Sequence, residues 1–313
     1  MPSQFSFNDI PDLTGRVVLV TGANTGIGKV CARELANKNA HVIIACRSEK
    51  KAREAIDDIR KVTQRGVIEF LPLDLSSLSS VKQFIEHYNS INLPIDILIA
   101  NAGIFMAPYD LTKDGIESHF GVNHIGHFAL IMGLLPLVEK SAPSRIVIVS
   151  SDAHGWAPKK GVECDIERIN STKYYNRRVA YGRSKLANLL FAKELDRRLR
   201  EKGINGVRVN TLHPGVAMTD LMRHLPLPKF VVSMGAKFLY GSISIDDASL
   251  TQLYVATSPE LDEKDLHGEY FIPIAKIGKP SKHGRDLDLA RRLWEFTEKL
   301  VNEKIEHSIK NKL

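Results

Sequence analysis

The 313-residue sequence predicts a doubly wound α/β fold, in which helices cover both faces of a parallel sheet of about seven strands. Two observations indicate this fold. Short, almost continuous runs of Val, Ile and Leu alternate with longer segments of helical pattern, and such runs are typical of strands buried on both faces. A glycine cluster also follows the first run directly, where a helical segment begins.

The predicted elements follow one another in a regular strand–helix order. Strands are predicted at 16–21, 41–46, 67–74, 95–101, 145–151, 206–215 and 268–273. Helices are predicted at 27–38, 48–63, 78–90, 115–140, 180–203 and, from apolar residues at helical spacing, 285–313. No repeat, linker or change in composition divides the chain, so a single domain over 1–313 is predicted.

Composition limits the function classes. Apolar residues make up 43% of the chain and charged residues 25%, and the net charge is +7, which is compatible with an anionic cofactor or an anionic membrane surface. No Lys/Arg run or nucleic-acid motif is found, so a nucleic-acid partner is not expected. The three cysteines lack a C-x-x-C pattern and predict free thiols in the cytoplasm. No signal peptide or membrane span is predicted. The last residues, 311–313, approach a peroxisomal address but begin with Asn, which leaves that location open.

The glycine cluster predicts a dinucleotide site of Rossmann type. Gly22, Gly26 and Gly28 lie between a buried strand and a helix, and Asn24, Thr25 and Ile27 complete the turn. Glycine lets the backbone approach a pyrophosphate closely, and the helix N-terminus offers unpaired N–H groups and a partial positive charge.

Arg47, after the second predicted strand, favours NADP over NAD. An NAD site usually has a carboxylate about twenty residues beyond the glycines, and none is present there. A guanidinium grips a 2′-phosphate through two charge-assisted hydrogen bonds. The alternative is that Arg47 is a solvated loop residue.

Polar or small residues also follow the next two strands. Asp74, with Leu75 beside it, is placed to accept a hydrogen bond from an adenine amino group. The tripeptide Asn101-Ala102-Gly103 allows the backbone to approach a ribose. Successive strand ends meet at one edge of a parallel sheet, so these residues are predicted to share one ligand.

Tyr181 and Lys185 are four residues apart and share one helix face. An ammonium and a cationic nicotinamide both favour the phenolate, which predicts a tyrosine pKa lowered by about two to three units and a tyrosine that acts as acid or base. Ser150 and Ser151 end the fifth strand, where a hydroxyl can polarise a substrate oxygen. Asn123 is predicted to hold a water that refills the proton relay.

The sequence resembles the short-chain dehydrogenase/reductase family, and within it the retinol-dehydrogenase-like branch. The matching motifs are TGANTGIGK (21–29), ACR (45–47), LDL (73–75), NAG (101–103), VNHIGHF (122–128), IVSS (148–151), YGRSKLAN (181–188) and HPG (213–215). The resemblance implies Tyr181 as catalytic acid/base, Lys185 as ribose ligand and phenol tuner, Ser151 as donor to the substrate oxygen and Asn123 as relay residue. It also implies nicotinamide contacts from Pro214, Gly215, Val216 and Thr219, and it associates ACR with NADP.

Two segments interrupt the regular order. Residues 216–245 are Met-rich and apolar; a substrate lid, plain packing and a peripheral membrane contact are all compatible with them. Residues 152–179 exceed the minimal family spacing and are expected to loop out near the substrate entrance. His124 and His127 are three residues apart, but no third ligand follows, so no metal site is predicted.

These observations predict an NADP-dependent oxidoreductase acting on an alcohol or carbonyl group of a small apolar, retinoid-, steroid- or lipid-like substrate. The alternative is a catalytically idle scaffold or sensor that only binds the cofactor, and a Ser184–Lys185 hydrolase is more distant. A homodimer through the helices near 115–140 and 180–203 is compatible with the resemblance.

Overall fold

The computed structural model describes residues 4–217 and 243–310, with side chains up to Ile305. Its sheet contains β1 (Val17–Thr21), β2 (His41–Cys46), β3 (Val67–Pro72), β4 (Ile97–Ala100), β5 (Ser144–Val149), β6 (Val207–Leu212), β7 (Tyr270–Ile272) and β8 (Lys276–Ile277). The strand order is β3-β2-β1-β4-β5-β6-β7-β8; the first seven strands are parallel and β8 is antiparallel to β7. The predicted fold class is confirmed. The additional strand is only two residues long and exposed, so it leaves no hydrophobic pattern.

Helices connect and cover the strands. They are α1 (Gly26–Asn37), α2 (Glu49–Arg60), α3 (Leu78–Ile91), α4 (Ser118–Phe120), α5 (Gly126–Lys140), α6 (Ile166–Ile169), α7 (Arg177–Glu201), α8 (Ile245–Thr257), α9 (Glu260–Glu263) and α10 (Leu287–Lys310). Polar N-cap residues determine several starts: the Ser48 side chain accepts from Lys51 N, and Asn176 caps α7 in the same way.

The sheet separates two apolar layers because successive side chains of a strand point to opposite faces. In β1 every residue is buried. Val17 and Leu19 pack with α3, α5, α7 and α10, whereas Val18 and Val20 pack with α1, α2 and α8. Burial on both faces explains why the strands read as continuous Val/Ile/Leu runs.

The helix predicted at 115–140 is interrupted. A π-helical turn, Gly121–Ile125, separates α4 from α5 and contains Asn123. Within the described residues, Ser118–Lys140 is the stretch apolar and long enough to cross a bilayer, but α5 packs against α3, β4 and β5. Its composition is therefore that of a core helix.

The C-terminal helix α10 packs on α7 and α3. Trp294 is buried against Phe128 and Phe191, and the buried Thr297 shares a 3.0 Å hydrogen bond with His124. The helices considered for a homodimer interface are thus partly covered by the chain itself, and pairing through them would also have to use the outer face of α10.

The predictions for the two irregular segments, 216–245 and 152–179, compare differently with the structure. Of the predicted lid, 216–245, residues 218–242 lie outside the described residues. Segment 152–179 does not loop out as expected, because it packs against the domain and buries Val162 and Ile169 in the same core as Leu289 of α10.

Candidate active site

The glycine turn after β1 and the Asn101-Ala102-Gly103 turn after β4 are in direct contact. Gly22 has φ +68°, and a Cβ atom there would lie 2.8 Å from the Ala102 Cα. A Cβ at Gly28 would lie 2.5 Å from the Asn101 Nδ2. Only glycine fits at Gly22 and Gly28. The two turns therefore form a surface of backbone atoms without side chains at the carboxyl edge of the sheet, as the sequence predicts, and this surface is called the cradle below.

A buried hydrogen-bond network, which sequence reasoning missed, holds this cradle. The Thr21 hydroxyl accepts from Asn101 N at 3.0 Å and Ala102 N at 2.9 Å, and donates to His127 Nε2 at 2.9 Å. His127 Nδ1 donates to the Asn123 carbonyl at 3.0 Å. Burial lowers the pKa of His127 to about 4, which keeps the ring neutral for this pattern. The sequence signal that could have indicated this network is Thr21, the polar residue at the end of β1 directly before Gly22.

Arg47 and Asp74 follow β2 and β3 at the same edge. Arg47 is exposed and has no hydrogen bond or ion pair with any residue that the structure describes. Asp74 accepts from Ser76 N and Oγ and lies 2.9 Å from Lys113 Nζ. Burial alone would raise the pKa of Asp74, but these hydrogen bonds outweigh it and lower the pKa. The predicted contacts of Arg47 with a 2′-phosphate and of Asp74 with adenine stay predictions.

Tyr181 and Lys185 lie on the same face of α7, and both are buried, at 5% and 3% exposure. The Lys185 Nζ lies 5.8 Å from the centroid of the Tyr181 ring and donates to the Val149 carbonyl at 3.0 Å. The Tyr181 hydroxyl and the Ser151 side chain share a hydrogen bond. The structure thus brings together the three side chains that the sequence assigned to proton transfer.

In the chain without a nicotinamide, the pKa of Tyr181 is raised and not lowered, so the ammonium of Lys185 does not produce the predicted lowering by itself. Burial raises the pKa of Tyr181 to about 12, and the hydrogen bond with Ser151 offsets this only in part. Burial also lowers the pKa of Lys185 to about 8. The low-dielectric site favours the neutral form of both groups, an effect that the spacing of two residues cannot reveal.

Asn123 is fully buried in the π-helical turn. Its side chain accepts from Ile104 N at 2.8 Å and donates to the Ile104 carbonyl at 3.0 Å and to the Ser184 hydroxyl at 2.9 Å. A Cβ at Gly103 would lie 3.2 Å from the Asn123 Oδ1 and 3.7 Å from the Lys185 Nζ. Asn123 therefore joins the segment after the cradle to helix α7.

Ser150 and Ser184 have structural hydrogen bonds. The Ser150 hydroxyl donates to the Lys185 carbonyl at 2.7 Å, which ties β5 to α7. The Ser184 hydroxyl donates to the Tyr181 carbonyl at 2.7 Å and accepts from Asn123. Ser184 is fully buried, so it is not presented to a substrate, and the hydrolase alternative loses its nucleophile.

The remaining cofactor candidates follow β6 or β3 along the chain. Gly215 has φ +87° and its N–H donates to His213 Nδ1 at 3.1 Å, while Ile243 N donates to the Val216 carbonyl at 3.1 Å. Pro214 is half-buried, and Leu75 is buried against Gly126. Thr219 lies outside the described residues.

Comparison with known proteins identifies the family. The short chain dehydrogenase family model matches residues 16–228. The chain belongs to this family. Human retinol dehydrogenase 13 is 42% identical over 92% of the chain and 85% of its own length, which supports the retinol-dehydrogenase-like branch. Short-chain dehydrogenase TIC 32 A, chloroplastic, of Brassica napus is 41% identical over 90% of this chain and 88% of its own length. Among solved structures, an uncharacterised Mycobacterium paratuberculosis protein has 33% identity and a TM-score of 0.75, covering 96% of this chain and 98% of its own.

Proposed function

We propose that the protein transfers a hydride between NADP(H) and an alcohol or carbonyl group of an apolar substrate. The observation that carries this proposal is the group formed by the half-buried Ser151 and the buried Tyr181 and Lys185 beside the glycine cradle. The short-chain dehydrogenase family and the retinol dehydrogenase relatives support an oxidoreductase. Structures of three proteins with this fold contain NADP, which supports a nicotinamide cofactor.

The residues present fit such a cofactor. The cradle offers backbone without side chains at Gly22, Gly28 and Gly103, where a Cβ atom would meet neighbouring atoms within 3.2 Å. Arg47 is the exposed cation at the end of β2 and would hold a 2′-phosphate. When bound, the nicotinamide supplies or accepts the hydride.

The residues of the chain supply the proton. The Ser151 hydroxyl holds the substrate oxygen beside the Tyr181 hydroxyl, and Tyr181 donates its proton to that oxygen as negative charge develops there. The Lys185 ammonium stabilises the phenolate left behind, because it lies over the same ring in a dry site. Asn123 holds Ile104 and Ser184 in place around this group.

In the chain without a cofactor, the protonation states of Tyr181 and Lys185 at neutral pH match the starting state of carbonyl reduction. Because burial raises the pKa of Tyr181 to about 12, the phenol keeps its proton at neutral pH and is a donor without rearrangement. Because the pKa of Lys185 is lowered only to about 8, the amine is still mostly charged at pH 7. Alcohol oxidation requires the opposite starting state, a phenolate.

A panel of aldehydes, ketones and alcohols, followed by NADPH absorbance with NADH as control, tests the proposal. We expect NADPH-dependent turnover that falls by about 10²- to 10⁴-fold in Tyr181→Phe, while NADPH binding is retained. Equal turnover by wild type and Tyr181→Phe would contradict the proposed role of the phenol. NADPH binding without turnover of any compound would instead favour the scaffold alternative.

A further inference from the structure

Phe105 lies directly against the proposed proton donor. Its ring meets the Tyr181 ring edge-to-face, with centroids 4.7 Å apart and an interplanar angle of 81°. It is half-buried, two residues after Gly103. A half-buried aromatic ring beside the reacting hydroxyl is placed to contact the part of a substrate next to its carbonyl group.

The loop that carries Phe105 is held at Ala107 by two side chains. Ala107 N donates to His119 Nε2 at 3.1 Å, and the Ala107 carbonyl accepts from the Tyr175 hydroxyl at 2.8 Å. Both polar groups of this buried residue are therefore satisfied by side chains from other segments.

A buried carboxylate orients the histidine. His119 Nδ1 donates to Glu117 Oε1 at 2.8 Å, and both side chains are fully buried. Glu117 also accepts from His119 N and Phe120 N at the start of α4. Because Nδ1 carries the proton, Nε2 is left as the acceptor that the Ala107 N–H requires.

Tyr175 belongs to segment 152–179, and a second contact ties this segment to the same loop. The Tyr109 hydroxyl donates to the Asn170 carbonyl at 2.7 Å, and the Tyr109 and Tyr175 rings pack edge-to-face at 5.2 Å. The inserted segment thus supports the loop after β4.

We propose that Phe105 is a substrate-contacting residue that determines specificity, and that Glu117, His119 and Tyr175 are positioning residues that fix it through Ala107. This inference rests on the proposed function for its substrate, and it gives the insertion a role: the inserted segment sets the width of the site above Tyr181.

The positioning role is tested without catalysis by amide hydrogen exchange. Tyr175→Phe removes one hydroxyl and keeps the ring, and Tyr174→Phe is the matched control because that neighbouring side chain is 64% exposed. We expect exchange over residues 104–112 to be roughly two- to tenfold faster in Tyr175→Phe only, the effect of one lost hydrogen bond. Equal exchange in both variants would overturn the positioning role.

The specificity role is tested by kinetics with a long-chain aldehyde and a polycyclic ketone. We expect Phe105→Ala to shift the ratio of their kcat/KM values towards the ketone by about tenfold, because loss of the Phe105 ring leaves more space beside Tyr181 for a wide substrate. We expect Tyr175→Phe to raise KM more than it changes kcat. An unchanged ratio in an active Phe105→Ala variant would overturn the specificity role.

The two proposals fail differently. If the wild type reduces neither compound nor any member of the panel, the proposed function fails, and the substrate role of Phe105 fails with it. The exchange measurement still decides the positioning role in that case.

Discussion

At the residue scale, the site places two titratable side chains where burial disfavours charge on both. Because the pKa of Tyr181 is about 12 and the pKa of Lys185 is about 8, rising pH removes the lysine proton before the tyrosine proton. A phenolate–ammonium pair is therefore not the ground state that the chain alone favours. In the proposed mechanism, the ammonium stabilises the phenolate that forms when the phenol gives up its proton.

The lowered lysine pKa predicts a pH dependence. Carbonyl reduction is expected to fall as pH rises through about 8, because Lys185 loses the charge that stabilises the developing phenolate. The measurement is kcat/KM with NADPH from pH 6 to pH 10. Lys185→Met should be poorly active throughout, whereas Lys193→Met, a partly exposed lysine two turns along α7, should keep the wild-type profile. A flat wild-type profile to pH 10 would contradict this prediction.

Arg47 predicts a cofactor preference. Replacing it by Ala is expected to raise the KM for NADPH by about ten- to a hundredfold, the loss of charge-assisted hydrogen bonds to one phosphate, and to leave the KM for NADH unchanged. Arg53→Ala is the control, because that exposed arginine on α2 binds Glu49 instead. A parallel loss with both cofactors would show that Arg47 does not recognise the 2′-phosphate.

The sequence was sufficient to predict that Tyr181, Lys185 and Ser151 lie together, because their spacing and their positions on a helix and at a strand end are local properties. It was not sufficient for the direction of the tyrosine pKa. That direction depends on burial by Phe105 and other distant residues, which only the folded chain brings together. The link between Thr21 and His127 was missed for the same reason, since 106 residues separate them.

At the scale of elements, the close packing of α7 on the 3-10 turn Asp152–Trp156 depends on Gly182. This turn follows Ser151 directly. A Cβ at Gly182 would lie 2.7 Å from the Ala153 carbonyl oxygen and 2.8 Å from Ala157 N, both backbone atoms. The glycine inside the motif that carries Tyr181 and Lys185 therefore sets how closely α7 approaches the turn that follows Ser151.

Gly182→Ala is expected to displace this turn and reduce carbonyl reduction by at least about tenfold, since small misplacements at a reacting centre are costly. Gly155→Ala is the matched control within the same turn, because a Cβ there meets nothing within 4 Å. Turnover and thermal unfolding should be measured together for both variants. Full activity in Gly182→Ala would show that the turn adapts without moving Ser151.

Most of the predicted elements are present close to their predicted bounds, whereas helix α8 (Ile245–Thr257), the π-helical turn and β8 were not predicted. Continuous apolar runs located β1, β2, β4, β5 and β6 because these parallel strands are almost fully buried. The edge strand β3 was located by the same kind of run, although only Ile68 in it is buried. The π-helical turn Gly121–Ile125 was missed, because the sequence around it keeps a helical apolar pattern and the interruption depends on packing around Asn123. Strand β8 is too short for any periodicity.

At the scale of the whole molecule, the C-terminal helix completes the core on one face of the sheet. Trp294 is 4% exposed, packs edge-to-face with Phe128 at 5.2 Å and lies under the Arg198 guanidinium at 4.4 Å. The outward side of α10 is charged, with exposed Arg291, Arg292, Glu295, Glu298 and Lys299. A second subunit would meet this charged surface and not the apolar faces beneath it.

Trp294→Ala is expected to lower the free energy of unfolding by about 3–5 kcal/mol, through lost burial and a cavity between α10, α5 and α7. The other tryptophan of the chain, Trp156, supplies the control: Arg178 stacks on its ring at 4.6 Å, but it is only half-buried. Urea unfolding would give the free energy of unfolding of Trp294→Ala and Trp156→Ala, and light scattering would show whether either variant aggregates. Equal losses would show that the arginine contact, and not burial under α10, carries the stability.

The contacts of Tyr109 and Tyr175 join the loop after β4 to segment 152–179. These contacts matter for chimaeras in which a segment of this chain is exchanged for that of a relative. A graft of the inserted segment alone would leave the loop after β4 without its partner hydroxyl, and a graft of the loop alone would do the reverse. Chimaeras should therefore transplant both stretches together. Such paired exchange would alter the surroundings of Phe105 while helix α7 from Ala180 onward and strands β1 to β3 keep their own sequence.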